Sequence, residues 1–292
     1  MRPDMQVSVI VPHYNDLEGL DICLTALGRQ TFPAERMEIV VADNVSPQGI
    51  AAVERAVAGR ARVITVNQRG AGPARNGAAA ASRGDILAFI DSDCRADVAW
   101  LAEGIKALKD CDIAGGSVDV SVKDAESMTP AEAFERIFAF NMERYVKQKG
   151  FVGSGNLFCR RAVFEAVGPF GTGVSEDVDW SHRATAKSFR IGYAPLARVS
   201  HPARRDWPEL KRKWKRINLE TYGLVMRRRF GRLSWLKTLL LLPFSALAHT
   251  PKVLASGQLN WRQKLSALGM LYRLRLWRMM DYGRLFLVGP GT

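Results

Sequence analysis

Two aspartates separated by one residue, Asp91 and Asp93, are the side chains in this sequence best suited to chemistry. They follow a short apolar run, where a strand would end and a turn begin. Two carboxylates on one turn can bind a divalent cation, and hard oxygen ligands suit Mg²⁺ or Mn²⁺. So short a motif also occurs as a solvated turn with capping aspartates, so the neighbouring elements must decide between the two.

Those elements predict an α/β fold with a mostly parallel sheet flanked by helices. Short apolar runs alternate with helical stretches, which is typical of strands buried on both faces and joined by right-handed crossovers. The predicted strands are residues 7–11, 38–43, 62–66 and 85–90. Ligands bind such sheets beyond the carboxyl ends of the strands. The residues that reach that edge are Pro12, His13, Tyr14, Asn15, Asp43, Asn44, Asp91, Ser92 and Asp93.

Five segments in this order resemble the motifs of family 2 glycosyltransferases. They are VSVIVPHYN (7–15), VVADN (40–44), ARNGAAAASRGDILAFIDSDC (74–94), GSGNLFCRRAVFEAVGPF (153–170) and SED (175–177). The resemblance covers roughly residues 7–201. It implies the Rossmann-like GT-A fold and a metal-dependent enzyme that takes one sugar from a nucleotide-sugar donor, with a UDP-sugar favoured.

The resemblance also implies roles for the matching residues on the donor side. Pro12 and Tyr14 would line the pocket for the base, and Asp43 would hydrogen-bond it. Arg75 would face the base or the diphosphate. The full predicted nucleotide-sugar set is Pro12, Tyr14, Asn15, Asp43, Arg75, Asp91 and Ser92. The predicted ligands of the Mg²⁺ or Mn²⁺ cofactor are Asp93, Asp91 and His201, although a lone histidine before a proline is as often a loop residue.

On the acceptor side, the resemblance implies that Asp177 is the general base and that Glu176 shapes the site. Gly155 and Asn156 would contact the acceptor. Sugar transfer independently requires a base within reach of the acceptor hydroxyl and neutralisation of the leaving diphosphate. No second nucleophile is evident for retention by double displacement, so inversion is expected.

Two departures from the family pattern narrow this expectation. Asn44 stands where many relatives carry a second carboxylate. The QxxRW motif of processive polysaccharide synthases is absent, since Trp214 lies in RKWKR without a glutamine at that spacing. We therefore expect one sugar to be added per event, to a lipid-linked or glycan acceptor, with cell-envelope or exopolysaccharide assembly as the setting that the resemblance implies.

The excess of positive over negative charge lies in the last third of the chain. The net charge is +13, and residues 201–292 hold 19 Lys and Arg against 4 Asp and Glu. We predict a catalytic domain over residues 1–203, with a nucleotide-sugar half to about 110 and an acceptor half beyond it. Residues 204–292 are predicted to form a basic amphipathic helical extension, with a helix start at Asp206.

Basic helices with Leu and Trp faces predict attachment to an anionic membrane surface. The alternative is that the apolar faces pack internally and the charges are solvated. The longest apolar run, 238–248, contains Pro243 and is too short to cross a bilayer. Nucleic acid is not expected as a partner, because no binding motif accompanies the charge.

The four scattered cysteines and the absence of an apolar leader predict a cytoplasmic protein, peripheral on the inner face of the cell membrane.

Two other functions remain open at this point. One is a nucleotidyltransferase that uses the same metal and nucleotide edge. The other is a catalytically inactive membrane-bound scaffold of the same fold.

Overall fold

The computed structural model describes residues 6–172 and 174–290, which divide into two compact units. The first, here called the sheet unit, comprises residues 6–119, 141–172 and 176–201. The second, the helical unit, comprises residues 120–140, 174–175 and 202–290. Residues 120–140, which the sequence placed in the acceptor half, therefore pack with the C-terminal helices.

The sheet has eight strands among the described residues. In chain order they are β1 (Val7–His13), β2 (Met37–Asp43), β3 (Arg62–Thr65), β4 (Ile86–Ile90), β5 (Arg95–Ala96), β6 (Ile113–Ser121), β7 (Asn156–Arg160) and β8 (Ile191–Pro202). Their spatial order is β3-β2-β1-β4-β7-β6-β8-β5. The strands β3, β2, β1 and β4 are parallel, whereas β7 is antiparallel to β4 and β6, and β5 is antiparallel to β8. The sheet is thus mixed: its N-terminal half is parallel, and antiparallel strands follow.

The helices of the sheet unit cover both faces of the sheet. They are α1 (Leu17–Leu27), α2 (Ile50–Val57), α3 (Ala71–Ala81), α4 (Trp100–Ala107), α6 (Met142–Lys149), α7 (Arg161–Val167) and α8 (Glu176–Ala186). Val7, Val9 and Val11 of β1 point into a core with α1, α2 and α4, whereas Ile10 points into a second core with α3, α7 and α8. This period-two alternation buries β1 on both faces, as the continuous apolar run predicted.

The helical unit contains α5 (Pro130–Phe138), α9 (Trp207–Met226), α10 (Gly231–Leu254) and α11 (Trp261–Val288). The predicted start at Asp206 is confirmed, since its side chain accepts a hydrogen bond from the amide of Glu209 at 2.8 Å. Phe134, Leu210 and Leu271 share one core with neighbouring residues of α10. A smaller core stacks Trp235 on Tyr282, with ring centroids 3.8 Å apart.

Within residues 6–172 and 174–290, none of the helices combines the length and the apolarity needed to cross a bilayer. All four cysteines are free and buried.

Candidate active site

The Asp91–Ser92–Asp93 turn begins where β4 ends, at the carboxyl edge of the parallel strands. The amide of Cys94 donates to the carbonyl oxygen of Asp91 at 3.0 Å, which closes the turn. All three residues of the turn are partly exposed. The turn therefore presents both carboxylates at the edge where such sheets bind ligands.

Arg75 of α3 links Asp91 to Glu176. One terminal nitrogen lies 2.5 Å from Asp91 Oδ1, and the other lies 2.9 Å from Glu176 Oε1. Burial opposes the charge of this side chain, but the two carboxylates outweigh it and raise the pKa of the guanidinium. Arg75 is thus held between two acidic groups that are 85 positions apart in the chain.

Asp177 follows Glu176 in the first turn of α8. Burial raises the pKa of its carboxyl, the adjacent negative Glu176 raises it further, and the result is a pKa of about 6. The amide of Val178 donates to Asp177 Oδ1 at 2.8 Å. The carboxyl is therefore ionised at neutral pH yet basic enough to accept a proton.

The glycines of residues 153–155 let a loop pass close to both carboxylates. A Cβ atom at Gly153 would lie 3.9 Å from Asp177 Oδ2, and one at Gly155 would overlap the carboxylate of Asp91. Gly155, predicted to contact the acceptor, is thus placed against Asp91, and only a residue without a side chain fits there.

A possible metal centre lies at Asp93. Its Oδ2 is 3.2 Å from Nε2 of His201, and the ligand atoms of Asp93, Cys94 and His201 all lie within 4.8 Å of one another. Antiparallel pairing of β5 with β8, in which Arg95 is opposite Ser200, brings His201 to a residue 108 positions earlier in the chain. Asp91, engaged by Arg75, is not part of this group of three.

The donor set fits a divalent cation. One carboxylate oxygen and one imidazole nitrogen suit Mn²⁺, and the carboxylate also suits Mg²⁺. The third member of the group, the Cys94 thiol, is a soft ligand that suits Mg²⁺ or Mn²⁺ less well than carboxylate or imidazole does. Asp93 and His201 are therefore the ligands this structure offers.

The predicted base-binding residues lie at, or just beyond, the carboxyl ends of β1 and β2. Pro12 is opposite Ala42, and His13 is opposite Asp43, in the register of these two strands. Tyr14 is 50% exposed, which leaves its ring available for stacking. Asn15 is exposed with a φ of 57°, and its side-chain oxygen accepts from Gln48 at 2.6 Å.

Asp43 is buried and bound to Ser46, which sequence reasoning missed. The Ser46 hydroxyl donates to Asp43 Oδ1 at 2.5 Å, and its amide donates to Oδ2 at 3.2 Å. The same hydroxyl accepts from the amide of Asn15 at 2.9 Å. Ser46 thus links the turn after β1 to the turn after β2 by hydrogen bonds. A serine three residues after an aspartate is typical of a turn in which the two side chains interact, and this pattern in the sequence could have indicated the contact.

Asn44, at the position where many relatives carry a second carboxylate, links the end of β2 to the loop that precedes α3. Its amide group donates to the carbonyl oxygens of Val66 and Gln68, each at 2.8 Å, and its oxygen accepts from the amide of Gly70 at 2.8 Å. Gly70 precedes α3, so this one side chain fixes the approach to the helix that carries Arg75.

Asn156 is completely buried and its amide is used within the sheet. It accepts from the Trp100 indole at 2.8 Å and donates to the carbonyl oxygens of Ser117 and Ala197 at 2.8 and 2.9 Å. No group of this side chain is left for an acceptor, so we do not retain the predicted acceptor contact of Asn156.

The chain is similar throughout most of its length to known glycosyltransferases. Residues 8–168 match the model of "Glycosyl transferase family 2". The chain is 33% identical over 217 residues to "Glycosyltransferase AglE" of Haloferax volcanii, an alignment that covers 72% of this chain and 71% of that protein. The chain therefore belongs to glycosyltransferase family 2 and is a glycosyltransferase.

Solved structures confirm the GT-A fold. One is the mannosyltransferase PcManGT of Pyrobaculum calidifontis in complex with GDP-Man and Mn²⁺, with a TM-score of 0.63 and 17% identity over 97% of this chain and 87% of that one. Another is residues 1–349 of Staphylococcus aureus TarS in complex with UDP, with a TM-score of 0.53 and 18% identity over 98% of this chain and 90% of that one. At these identities the likeness shows the fold alone.

Proposed function

We propose that this glycosyltransferase moves one sugar, with inversion, from a UDP-sugar to a lipid-linked or glycan acceptor in cell-envelope or exopolysaccharide assembly. The observation that carries the proposal is the linked group formed by Asp91, Arg75, Glu176 and Asp177 beside Asp93 and His201. The donor complexes of the two structural relatives, one with GDP-Man and one with UDP, support a nucleotide-sugar donor.

Asp177 is the proposed general base. Its pKa of about 6 leaves it mostly ionised at pH 7. It would take the proton of the acceptor hydroxyl as that oxygen attacks the anomeric carbon and the bond from this carbon to the diphosphate breaks. One bond thus forms at the anomeric carbon as another breaks, and the diphosphate leaves with the electron pair. This single displacement inverts the anomeric centre.

Arg75 is a positioning residue in this scheme. Its planar guanidinium engages two carboxylates at once, which a lysine ammonium does less well. It fixes Asp91 toward the donor and Glu176 next to the general base, Asp177. Its positive charge also lowers the pKa of Asp177, which opposes the larger effect of burial. Glu176 thereby orients the first turn of α8 and shapes the acceptor side.

On the donor side, Tyr14 is proposed to cover the base beside Pro12, with Asp43 as hydrogen-bond acceptor and Asn15 and Ser92 flanking the ribose and the diphosphate. Asp93 and His201 would hold the divalent cation, and what it supplies when bound is Lewis-acid stabilisation of charge on the leaving diphosphate.

The test is a screen of UDP-, GDP- and dTDP-sugars with the purified chain, in Mn²⁺, in Mg²⁺ or in EDTA. We expect metal-dependent binding or slow turnover of a UDP-sugar, lost in Asp93→Ala. Asp110→Ala, which removes an exposed carboxylate outside the site, is the matched control. Turnover of a GDP- or dTDP-sugar instead would overturn the proposed uracil nucleotide. Failure to bind any donor, with either metal ion, would favour the catalytically inactive scaffold.

We also propose that the helical unit attaches to an anionic membrane surface. One face of α10 exposes Leu233, Leu240, Phe244 and Leu247, each more than 60% accessible. Their spacing of seven, four and three residues places them on one stripe. Exposed arginines at 227–229 precede the helix. An apolar stripe beside clustered cations is suited to the boundary between headgroups and acyl chains.

Flotation with vesicles of phosphatidylcholine, with or without phosphatidylglycerol, tests this attachment. We expect flotation only with the anionic lipid, and its loss in Phe244→Asp. Val98→Asp, which changes an equally apolar exposed residue of the sheet unit, should still float. Equal recovery in the soluble fraction with both lipids would contradict the proposal.

A further inference from the structure

The helical unit contains an open cavity of about 370 Å³ whose lining is almost entirely cationic. Its lining residues are Arg204, Glu209, Arg212, Lys213 and Arg216. Four of the five carry positive charge. The lining residues of α9, at 209, 212, 213 and 216, follow the i, i+3, i+4, i+7 spacing of one helix face. We call this feature the basic cavity.

A buried carboxylate holds one wall of the basic cavity in place. Glu135 of α5 is 1% exposed; its Oε1 lies 2.5 Å from Lys213 Nζ, and its Oε2 accepts from the amide of Arg204 at 2.8 Å. The two cations outweigh burial and lower the pKa of this carboxyl. Glu135 therefore remains ionised and fixes Lys213 and the backbone of Arg204.

The carboxylate of Glu209 offsets only part of the positive charge of the cavity, because four cations line it. Its Oε2 accepts from the amide of Arg205 at 2.9 Å, so it serves the start of α9. Arg216 is 64% exposed at its side chain, and its Nε lies 3.7 Å from Glu220 Oε1. Arg212 and Arg216 are like charges at positions i and i+4, an arrangement that destabilises a helix.

The repulsion within the cavity extends to Lys213. Burial lowers the pKa of its ammonium to about 8, and the charges of Arg204 and Arg216 oppose protonation further, against the attraction of Glu135. A polyanion bound among these groups would relieve the repulsion. Arginine forks form paired, charge-assisted hydrogen bonds with phosphate oxygens.

We propose that the basic cavity binds a phosphate or diphosphate group, with Arg212 and Arg216 as its accessible contacts and Lys213 and Arg204 at its wall. The group belongs either to a soluble phosphate compound or to the headgroup of a lipid. None of these residues is assigned to sugar transfer above, so the proposal stands or falls separately from the proposed function.

The experiment is calorimetric titration of the full chain with inorganic pyrophosphate in EDTA, so that no metal recruits the ligand to Asp93. We expect saturable binding that Arg212→Gln/Arg216→Gln weakens about tenfold or more, since two charge-assisted contacts are lost. The matched control is Arg29→Gln/Arg83→Gln, which removes equal charge from exposed positions of the sheet unit and should bind as the parent does.

The source of the phosphate is read from competition. Vesicles of phosphatidylcholine with phosphatidic acid that displace pyrophosphate from the parent chain would assign the cavity to a lipid headgroup; no displacement would assign it to a soluble phosphate compound. The proposal is overturned if pyrophosphate fails to saturate, or if it binds the double variant and the control equally. Arg212→Lys/Arg216→Lys keeps the charge but loses the paired hydrogen bonds of the guanidinium groups, so it should bind with intermediate affinity. An unchanged melting temperature of this variant would show that its weaker binding is not caused by unfolding.

Discussion

Protonation of Asp177 should control the rate of sugar transfer on the acid side of neutrality. With a pKa of about 6, this carboxyl is about nine-tenths ionised at pH 7 and about one-tenth ionised at pH 5. Because only the ionised form accepts a proton, we expect the maximal rate to fall about tenfold between these pH values.

The contribution of Asp177 to stability changes in the opposite sense to its contribution to the rate. The pKa of Asp177 in the folded chain lies above its ordinary value of 3.8, so between pH 6 and pH 4 the folded chain holds a proton that the unfolded chain lacks. Protonation of this group therefore favours the folded state as the pH falls, while it lowers the rate.

The assay is release of nucleoside diphosphate from saturating donor between pH 5 and pH 8, at constant metal and ionic strength. Asp177→Asn should lower the rate roughly a hundredfold or more and remove the acid limb. Glu176→Gln should move the limb to lower pH, because a negative charge that raises the pKa of Asp177 is gone. A parent rate that stays constant down to pH 5, or the same acid limb in Asp177→Asn, would refute the assignment.

Three further outcomes follow from the structure. Gly155→Ala should lower kcat at least tenfold with little change in melting temperature, because a Cβ there displaces the Asp91 carboxylate; equal activity would contradict that fit. His201→Ala should raise the Mn²⁺ concentration needed for half-maximal activity about tenfold, and an unchanged metal titration would remove His201 from the site. Glu135→Gln should lower the free energy of unfolding by about 3 kcal/mol in denaturant titrations, since Lys213 is left buried without its partner. Glu143→Gln, in an exposed pair, should have no measurable effect; similar losses in both variants would refute the buried pair.

The parallel half of the sheet was predictable because each of its strands carries its own local signal. β1, β2 and β4 are short runs dominated by Val, Ile and other apolar residues, and the predicted bounds differ from the observed ones by two residues or fewer. The antiparallel half was harder to assign. β6 and β7 include glycine or polar residues. The pairing of β7 with β4, and of β6 with β7, depends on contacts between distant segments.

The residues of the candidate site also differ in how far the sequence alone predicted them. Asp91, Asp93 and Asp177 were evident from their motifs, but the fork of Arg75 between Asp91 and Glu176 required three elements to be placed in space. The basic cavity was equally hidden. Its cations were visible as a charge run, whereas Glu135 lies 69 or more positions away and its partner in α9 has no sequence signal.

The β5–β8 pairing also sets the order in which the metal ligands become available during synthesis. Asp93 leaves the ribosome long before His201, and only β8 brings the imidazole to the carboxylate. A nascent chain shorter than about 200 residues therefore holds half of the ligand pair, at a turn that has no second protein donor from β8. If Asp93 and His201 hold the cation as proposed, completion of the sheet also completes the cation site, and tight metal binding would report that β8 has docked.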